Sequence, residues 1–104
     1  MDAQLKRGVL EICVLASMLK GETYGYELIG KVSAYIPISE STLYPILRRL
    51  EAGGYVNVRS AEFNGRLRKY YSITEMGKGK IFEFLESWKG IVKVYDFIKG
   101  EIDG

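Results

Sequence analysis

Residues 41–56 read STLYPILRRLEAGGYV. Leu43, Ile46, Leu47 and Leu50 recur at spacings of three and four, the pattern that lines one face of an α-helix. Ser39 or Ser41 can cap the start with a hydroxyl, and Gly53-Gly54 supplies the left-handed residue at which helices end. The stretch therefore predicts a helix over Ser39–Ala52. At ~100° per residue, Ser41, Pro45, Arg48 and Ala52 fall opposite the apolar stripe, with Thr42, Tyr44 and Arg49 on its flanks. A solvated helix face ordinarily carries lysine and glutamate, whereas this one offers hydroxyls, a flat apolar pair and two adjacent arginines. Pro45 would cost ~3 kcal/mol in a helix interior, and much less near the first turns, where it removes one donor.

The residues that follow, YVNVRSAEFNGRLRKYYSIT, form a β-hairpin pattern. Asn64-Gly65 is the strongest two-residue turn signal, because both central residues of a type I′ turn need positive φ. Counting outward from it pairs Glu62 with Leu67, Ser60 with Lys69, Val58 with Tyr71 and Val56 with Ile73. One face then carries the apolar set Val56, Val58, Tyr71 and Ile73, and the other carries Asn57, Arg59, Arg68 and Tyr70. The tip, NGRLRK, is cationic.

Two helices precede this unit. Leu5 to Lys20 has a wide apolar face that includes Leu5, Val9, Ile12, Cys13, Ala16, Met18 and Leu19, and Gly21 is the expected C-terminal cap. GETYGYELIGKVSAYIP reads as the second helix, with Thr23 as N-cap, Leu28, Ile29 and Val32 as the inner stripe, and Pro37 marking its end. The short link PIS favours two helices packed at an angle. After the hairpin, Thr74 can cap a last helix from Glu75 to about Lys99, ~38 Å long at ~1.5 Å per residue. Ile81, Phe84, Trp88, Ile91, Tyr95 and Ile98 recur along it at the alternating spacing of a helix–helix seam, and Phe82, Leu85, Val92 and Phe97 add apolar surface beside the seam. So small a chain cannot cover a helix of that length, which predicts a homodimer.

Composition narrows the classes. At 104 residues and 47 % apolar content, the chain is one small globular domain. No apolar run approaches the ~20 residues of a membrane span. The N-terminal stretch has a Lys6-Arg7 pair before its apolar run, as a secretion signal does. Glu11 interrupts that run and no small-residue cleavage site follows, so the reading is an amphipathic helix of a cytoplasmic protein. Histidine is absent and there is one cysteine, Cys13, set among apolar residues. Histidine-based catalysis and zinc sites have no ligands here, neither paired carboxylates nor a phosphate loop is present, and no metal or cofactor is implied. An enzyme is not expected.

The net charge is only +2, but its distribution is uneven. From Arg48 to Lys69 six basic residues stand against Glu51 and Glu62, while the segments on either side each sum to −1. A surface that meets a polyanion concentrates cations in this way. Three helices, a hairpin with a basic tip and a long fourth helix make an α+β, mainly α, fold: a winged helix-turn-helix with a long C-terminal dimerisation helix. Residues 1–73 form the DNA-binding domain in this reading, and residues 74–104 form the dimerisation helix. The recognition helix faces a DNA major groove. Arg48 and Arg49 suit bidentate bonds to guanine or contacts to phosphate, and Ser41 and Thr42 suit phosphates at the helix N-terminus. Tyr44 and Pro45 offer a flat contact to thymine methyls. On the wing, Arg66, Arg68 and Lys69 reach the minor groove or backbone, with Asn64 and Gly65 there first for turn geometry.

YGYEL in the second helix, SESTLYPILRRLEAGGYV through the recognition helix and NGRLRKYYSITEMG into the last helix resemble the PadR family of transcriptional regulators, from about Leu5 to Ile98. The resemblance implies a dimer in which each C-terminal helix packs against the partner's N-terminal helix, through Leu5, Val9, Ile81, Phe84, Leu85, Trp88, Ile91, Val92, Tyr95 and Ile98. It implies repression from an inverted-repeat operator, relieved by a small aromatic or hydrophobic effector. It also allows the Tyr24 hydroxyl to reach a phosphate, and Ser39, at the start of the recognition helix, completes the expected DNA-contacting set. The single C-terminal helix matches the family's compact branch, some members of which bind flat aromatic or cationic drugs beside a tryptophan of this helix. Trp88 occupies the matching place, with Ile91 beside it. The rival reading is a winged-helix protein-interaction module with no DNA partner, in which the basic wing meets an acidic protein surface.

Overall fold

The computed structural model describes residues 2–104. The element order is α1 (Ala3–Ala16), β1 (Thr23–Tyr24), α2 (Gly25–Ser33), α3 (Glu40–Ala52), β2 (Val56–Phe63), β3 (Arg66–Ile73) and α4 (Glu75–Asp103). The three strands form one antiparallel sheet in the order β1-β3-β2. A single core joins Leu10, Val14 and Leu15 of α1, Leu28 and Val32 of α2, the four-residue stripe of α3, and Val56, Tyr71 and Ile81. Among the described residues no helix is long and apolar enough to cross a membrane.

The hairpin has the register read from its turn: Glu62 opposes Leu67, Ser60 opposes Lys69, Val58 opposes Tyr71 and Val56 opposes Ile73. Asn64 and Gly65 both have positive φ, 50° and 77°, as a type I′ turn requires. The end of α3 is equally local in origin. The Tyr55 N–H donates to the Leu50 carbonyl and the Gly54 N–H to that of Glu51, with Gly54 at φ 79°. That pair of bonds is the Schellman closure, and it turns the chain from α3 into β2. Pro45 sits inside α3 and leaves the Ser41 carbonyl without the donor that a regular helix would bring it. Ser39 is the N-cap by backbone geometry, but its hydroxyl makes no capping bond. It meets the hydroxyls of Ser41 at 2.9 Å and Thr42 at 3.3 Å instead.

Three expected boundaries of the first two helices move. The first helix ends at Ala16 rather than Lys20, because the Ser17 hydroxyl donates to the Cys13 carbonyl at 2.7 Å and the next N–H groups turn back to Leu15 and Ala16, tightening the last turn. Gly21, expected to cap that helix, is instead a loop residue at φ 150°. Thr23, expected as the N-cap of the second helix, lies in β1 opposite Tyr71. It is 1 % exposed, and its hydroxyl donates to Glu27 Oε1 at 2.6 Å. Tyr24 takes the N-cap position without a capping bond. The second helix ends at Ser33, four residues ahead of the Pro37 expected to stop it.

Thr74 anchors α4 by accepting from the Gly77 N–H at 3.1 Å and donating to the Gly54 carbonyl at 2.7 Å. Gly77 packs so tightly on the Tyr55 carbonyl and the Ile73 side chain that no Cβ fits there. Ile81, expected on the helix–helix seam, is 7 % exposed and already covered by the chain's own core. Beyond it α4 leaves the globular part, and the molecule measures 63 × 26 × 22 Å.

Candidate nucleic-acid interface

The outward side of α3 borders a hollow on each flank. On one flank a cleft of about 690 Å³ separates α3 from the start of α2 and the tip of the hairpin. Tyr44 and Arg48 face it from the helix, and Asn64, Arg66 and Lys69 face it from the wing. Tyr44 reaches this position over Gly25, where a Cβ would stand 2.6 Å from its hydroxyl. Because β1 pairs only with Tyr70 and Tyr71, the edge of β3 from Arg66 to Lys69 stays open beside the cleft. On the other flank a groove of about 410 Å³ lies between α3 and the start of α1. Thr42, Pro45 and Arg49 line one side of it, and Lys6, Arg7 and Leu10 line the other. Pro45 is accordingly half-buried rather than fully outward.

The face of the sheet away from the core carries a ladder of cations and rings. The Arg59 guanidinium donates through Nε and Nη2 to both carboxylate oxygens of Glu22, each at 2.6 Å. The Arg59 hydrogen bond, and then its charge, hold the Glu22 carboxyl below the usual carboxylate range. Arg59 also lies 4.7 Å over the Tyr70 ring, and Tyr70 meets Tyr24 edge-on at 6.0 Å. Arg68 is held between two rings, 4.0 Å over Tyr24 and 3.8 Å over Phe63. It is half-buried, so it lies back along the sheet instead of projecting from the tip. Arg48, Arg49, Arg66 and Lys69 are exposed and form no ion pair among the described residues.

The fold thus gathers Tyr24, Tyr44, Arg48, Asn64, Arg66, Arg68 and Lys69 around the cleft, leaves Gly65 at the exposed turn outside its lining, and sets Thr42, Pro45 and Arg49 on the opposite flank. Ser39 and Ser41 share the exposed first turn of α3. Sequence reasoning missed Tyr26, which is 80 % exposed and borders the cleft from α2. It also missed Phe63, whose place beside Arg68 was legible in the register, since Ala61 opposes Arg68 and Phe63 opposes Arg66 on one face. The arrival of Tyr24 on that face has no local signal.

Along α4, Leu85, Trp88, Ile91, Val92, Tyr95 and Ile98 are exposed. Trp88 is 37 % exposed and stacks on Phe84 with ring centroids 5.6 Å apart and planes 17° from parallel. Leu5 is exposed and Val9 half-buried on α1.

Residues 14–83 match the sequence model of the transcriptional regulator PadR-like family. An uncharacterized protein of Lysinibacillus sphaericus is 32% identical over 100 residues, 90% of this chain and 92% of that one. The solved structure of a transcriptional regulator from Clostridium thermocellum superposes with a TM-score of 0.81 at 30% identity, over 90% of this chain and 96% of the other. A PadR family transcriptional regulator from Eggerthella lenta superposes with a TM-score of 0.81 at 31% identity, over 91% and 85%.

Proposed function

The chain belongs to the PadR-like family of transcriptional regulators, which makes it a DNA-binding protein, and from that premise we propose that it is a homodimeric repressor acting on an inverted-repeat operator. One observation carries the dimer. Past Ile81, α4 exposes Leu85, Trp88, Ile91, Val92, Tyr95 and Ile98 to solvent, more apolar surface than a free helix keeps in water. A second copy covers it, each α4 lying against the partner's α4 and against Leu5 and Val9 of its α1. Residues 74–104 then form the dimerisation segment and residues 1–73 the DNA-binding head.

In each head α3 enters the major groove. Arg48 and Arg49 bind base edges or phosphates, while Ser39, Ser41 and Thr42 bond phosphates at the helix start. Tyr44 and Pro45 meet thymine methyls, and the Tyr24 hydroxyl reaches a phosphate. The wing tip, Asn64 to Lys69, follows the adjacent backbone or minor groove, with Arg66 and Lys69 extended and Arg68 fixed by its two rings. A two-fold dimer sets its recognition helices in successive major grooves, ~34 Å apart, so the operator is an inverted repeat. An effector with a flat aromatic or cationic face fits between the α4 helices at Trp88 and Ile91. It releases DNA only in so far as it prefers the dimer spacing that DNA does not.

Size-exclusion chromatography with light scattering, followed by fluorescence anisotropy on a duplex selected by the protein from a random pool, tests this reading. A dimer mass and an enriched inverted repeat are expected. A monomer at micromolar concentration, or enrichment of a single half-site, overturns it. For the effector, quenching of Trp88 by aromatic cations together with a fall in DNA affinity is expected; quenching with unchanged affinity overturns release.

A further inference from the structure

We propose that the groove between α1 and α3 is a second phosphate-backbone site, in which Lys6 and Arg7 join Arg49 on the strand opposite the one the wing follows. This inference rests on the DNA-binding reading of α3 above. A helix seated in a major groove has a phosphate wall on both sides, ~12 Å apart. The wing lies on the Tyr44–Arg48 flank of α3 and supplies cations to one wall. On the other flank, among the described residues, the start of α1 lines the groove with α3, and that stretch brings Lys6 and Arg7 to the side where Thr42 and Arg49 stand.

Three features point the same way. Lys6, Arg7 and Arg49 are exposed and form no ion pair among the described residues. Asp2, the acid at the start of α1, is engaged in capping the Leu5 N–H at 3.3 Å. Lys6 and Arg7 also fall near the N-terminal end of α1, whose first turn holds no acidic residue. Helix stability alone favours acids there, because the macrodipole presents partial positive charge at that end. A phosphate diester in the groove offsets that cost, since an anion is attracted both to the two cations and to that end of the helix. Thr42 adds a hydroxyl donor, and Leu10 and Pro45 form an apolar floor on which sugar rings can rest.

In sequence this pair is invisible as a DNA contact. It lies more than forty residues from Arg49, in a segment whose net charge is −1, and only the folded chain, which sets α1 and α3 on two sides of one groove, unites the three cations.

Anisotropy titrations of the intact protein across salt concentration test it, on a duplex enriched from a random pool by the wild-type chain and on its scrambled counterpart. For the Lys6→Gln/Arg7→Gln variant, the plot of log K against log salt is expected to become shallower by about 1.8 for each protomer bound, ~0.9 for each phosphate that is no longer neutralised. Affinity falls on both duplexes while the preference between them survives. Lys6→Arg/Arg7→Lys, which exchanges the two cations, keeps the wild-type slope. An unchanged slope in the glutamine variant, with Arg48→Ala still weakening binding, overturns the groove and leaves the repressor standing. Equal weakening by the exchange variant assigns the pair to packing and also overturns the groove. Failure of the wild-type chain to bind either duplex overturns both readings.

Discussion

Arg48 and Arg68 have the same side chain and opposite situations. Arg48 is exposed at the rim of the cleft with no carboxylate on it, so its five donors are free for a planar bidentate acceptor. Arg68 already has its faces covered by Tyr24 and Phe63. Arg48→Ala is therefore expected to cost about 1–3 kcal/mol of preference for the selected duplex, the value of one good bidentate base contact, with no change in the unfolding midpoint. Competition anisotropy and thermal unfolding measure the two quantities, and an unchanged sequence preference places Arg48 away from the bases. Gly77 works through space alone. A Cβ there meets the Tyr55 carbonyl and comes within 2.6 Å of Ile73, and the backbone partner cannot swing aside. Gly77→Ala is expected to destabilise by about 1–3 kcal/mol, the usual cost of overpacking. Denaturant unfolding reads this directly.

At the scale of elements, the wing is held to the domain from its outer face as well as its core face. Glu22 precedes β1, and its carboxylate grips Arg59 in β2 across the sheet. Since its folded pKa lies below the unfolded value, the contribution of this pair is present above the unfolded pKa and is lost as pH falls through the folded one. Lowering pH below the usual carboxylate range should thus loosen β2, with faster amide exchange at Arg59 than at Val56; equal protection of both through that range counts against the clasp. The turn is the other control point. Gly65 at φ 77° needs no Cβ, so Gly65→Ala is expected to cost roughly 1 kcal/mol and to lower DNA affinity by tilting the tip. Measured stability equal to wild type sinks the assignment of strain to that position.

Across the whole molecule, the head is closed and the helix is not. The core ends at Ile81, and the rest of the 29-residue α4 exposes large apolar side chains, the surface assigned to the partner in the proposed dimer. Trp88→Glu/Ile91→Glu places two charges in the proposed seam. The expected result is a monomer by light scattering with its head still folded, and a salt slope for DNA about half that of the dimer, since each head then counts its phosphates alone. Retention of the dimer mass places the contact elsewhere on α4.

The sequence by itself determined whatever is decided within a few residues along the chain. The apolar stripe of α3, its Gly53-Gly54 stop, the Asn64-Gly65 turn with the register it imposes, and the Thr74 cap all arise from local sterics and hydrogen bonding. They sufficed for the winged helix and for most of the cations around it. Tertiary structure alone decided what depends on distant partners. A two-residue strand carries no periodicity, so β1 exists only because Thr23 and Tyr24 find Tyr71 and Tyr70. The same pairing carries Tyr24 to Arg68, turning a wing cation inward. The fold sets the start of α1 across one groove from α3, so that Lys6 and Arg7 line it with Arg49, and packing of α4 on the head draws Ile81 into the core. Burial and charge clustering are sums over neighbours in space, and chain order does not fix those neighbours.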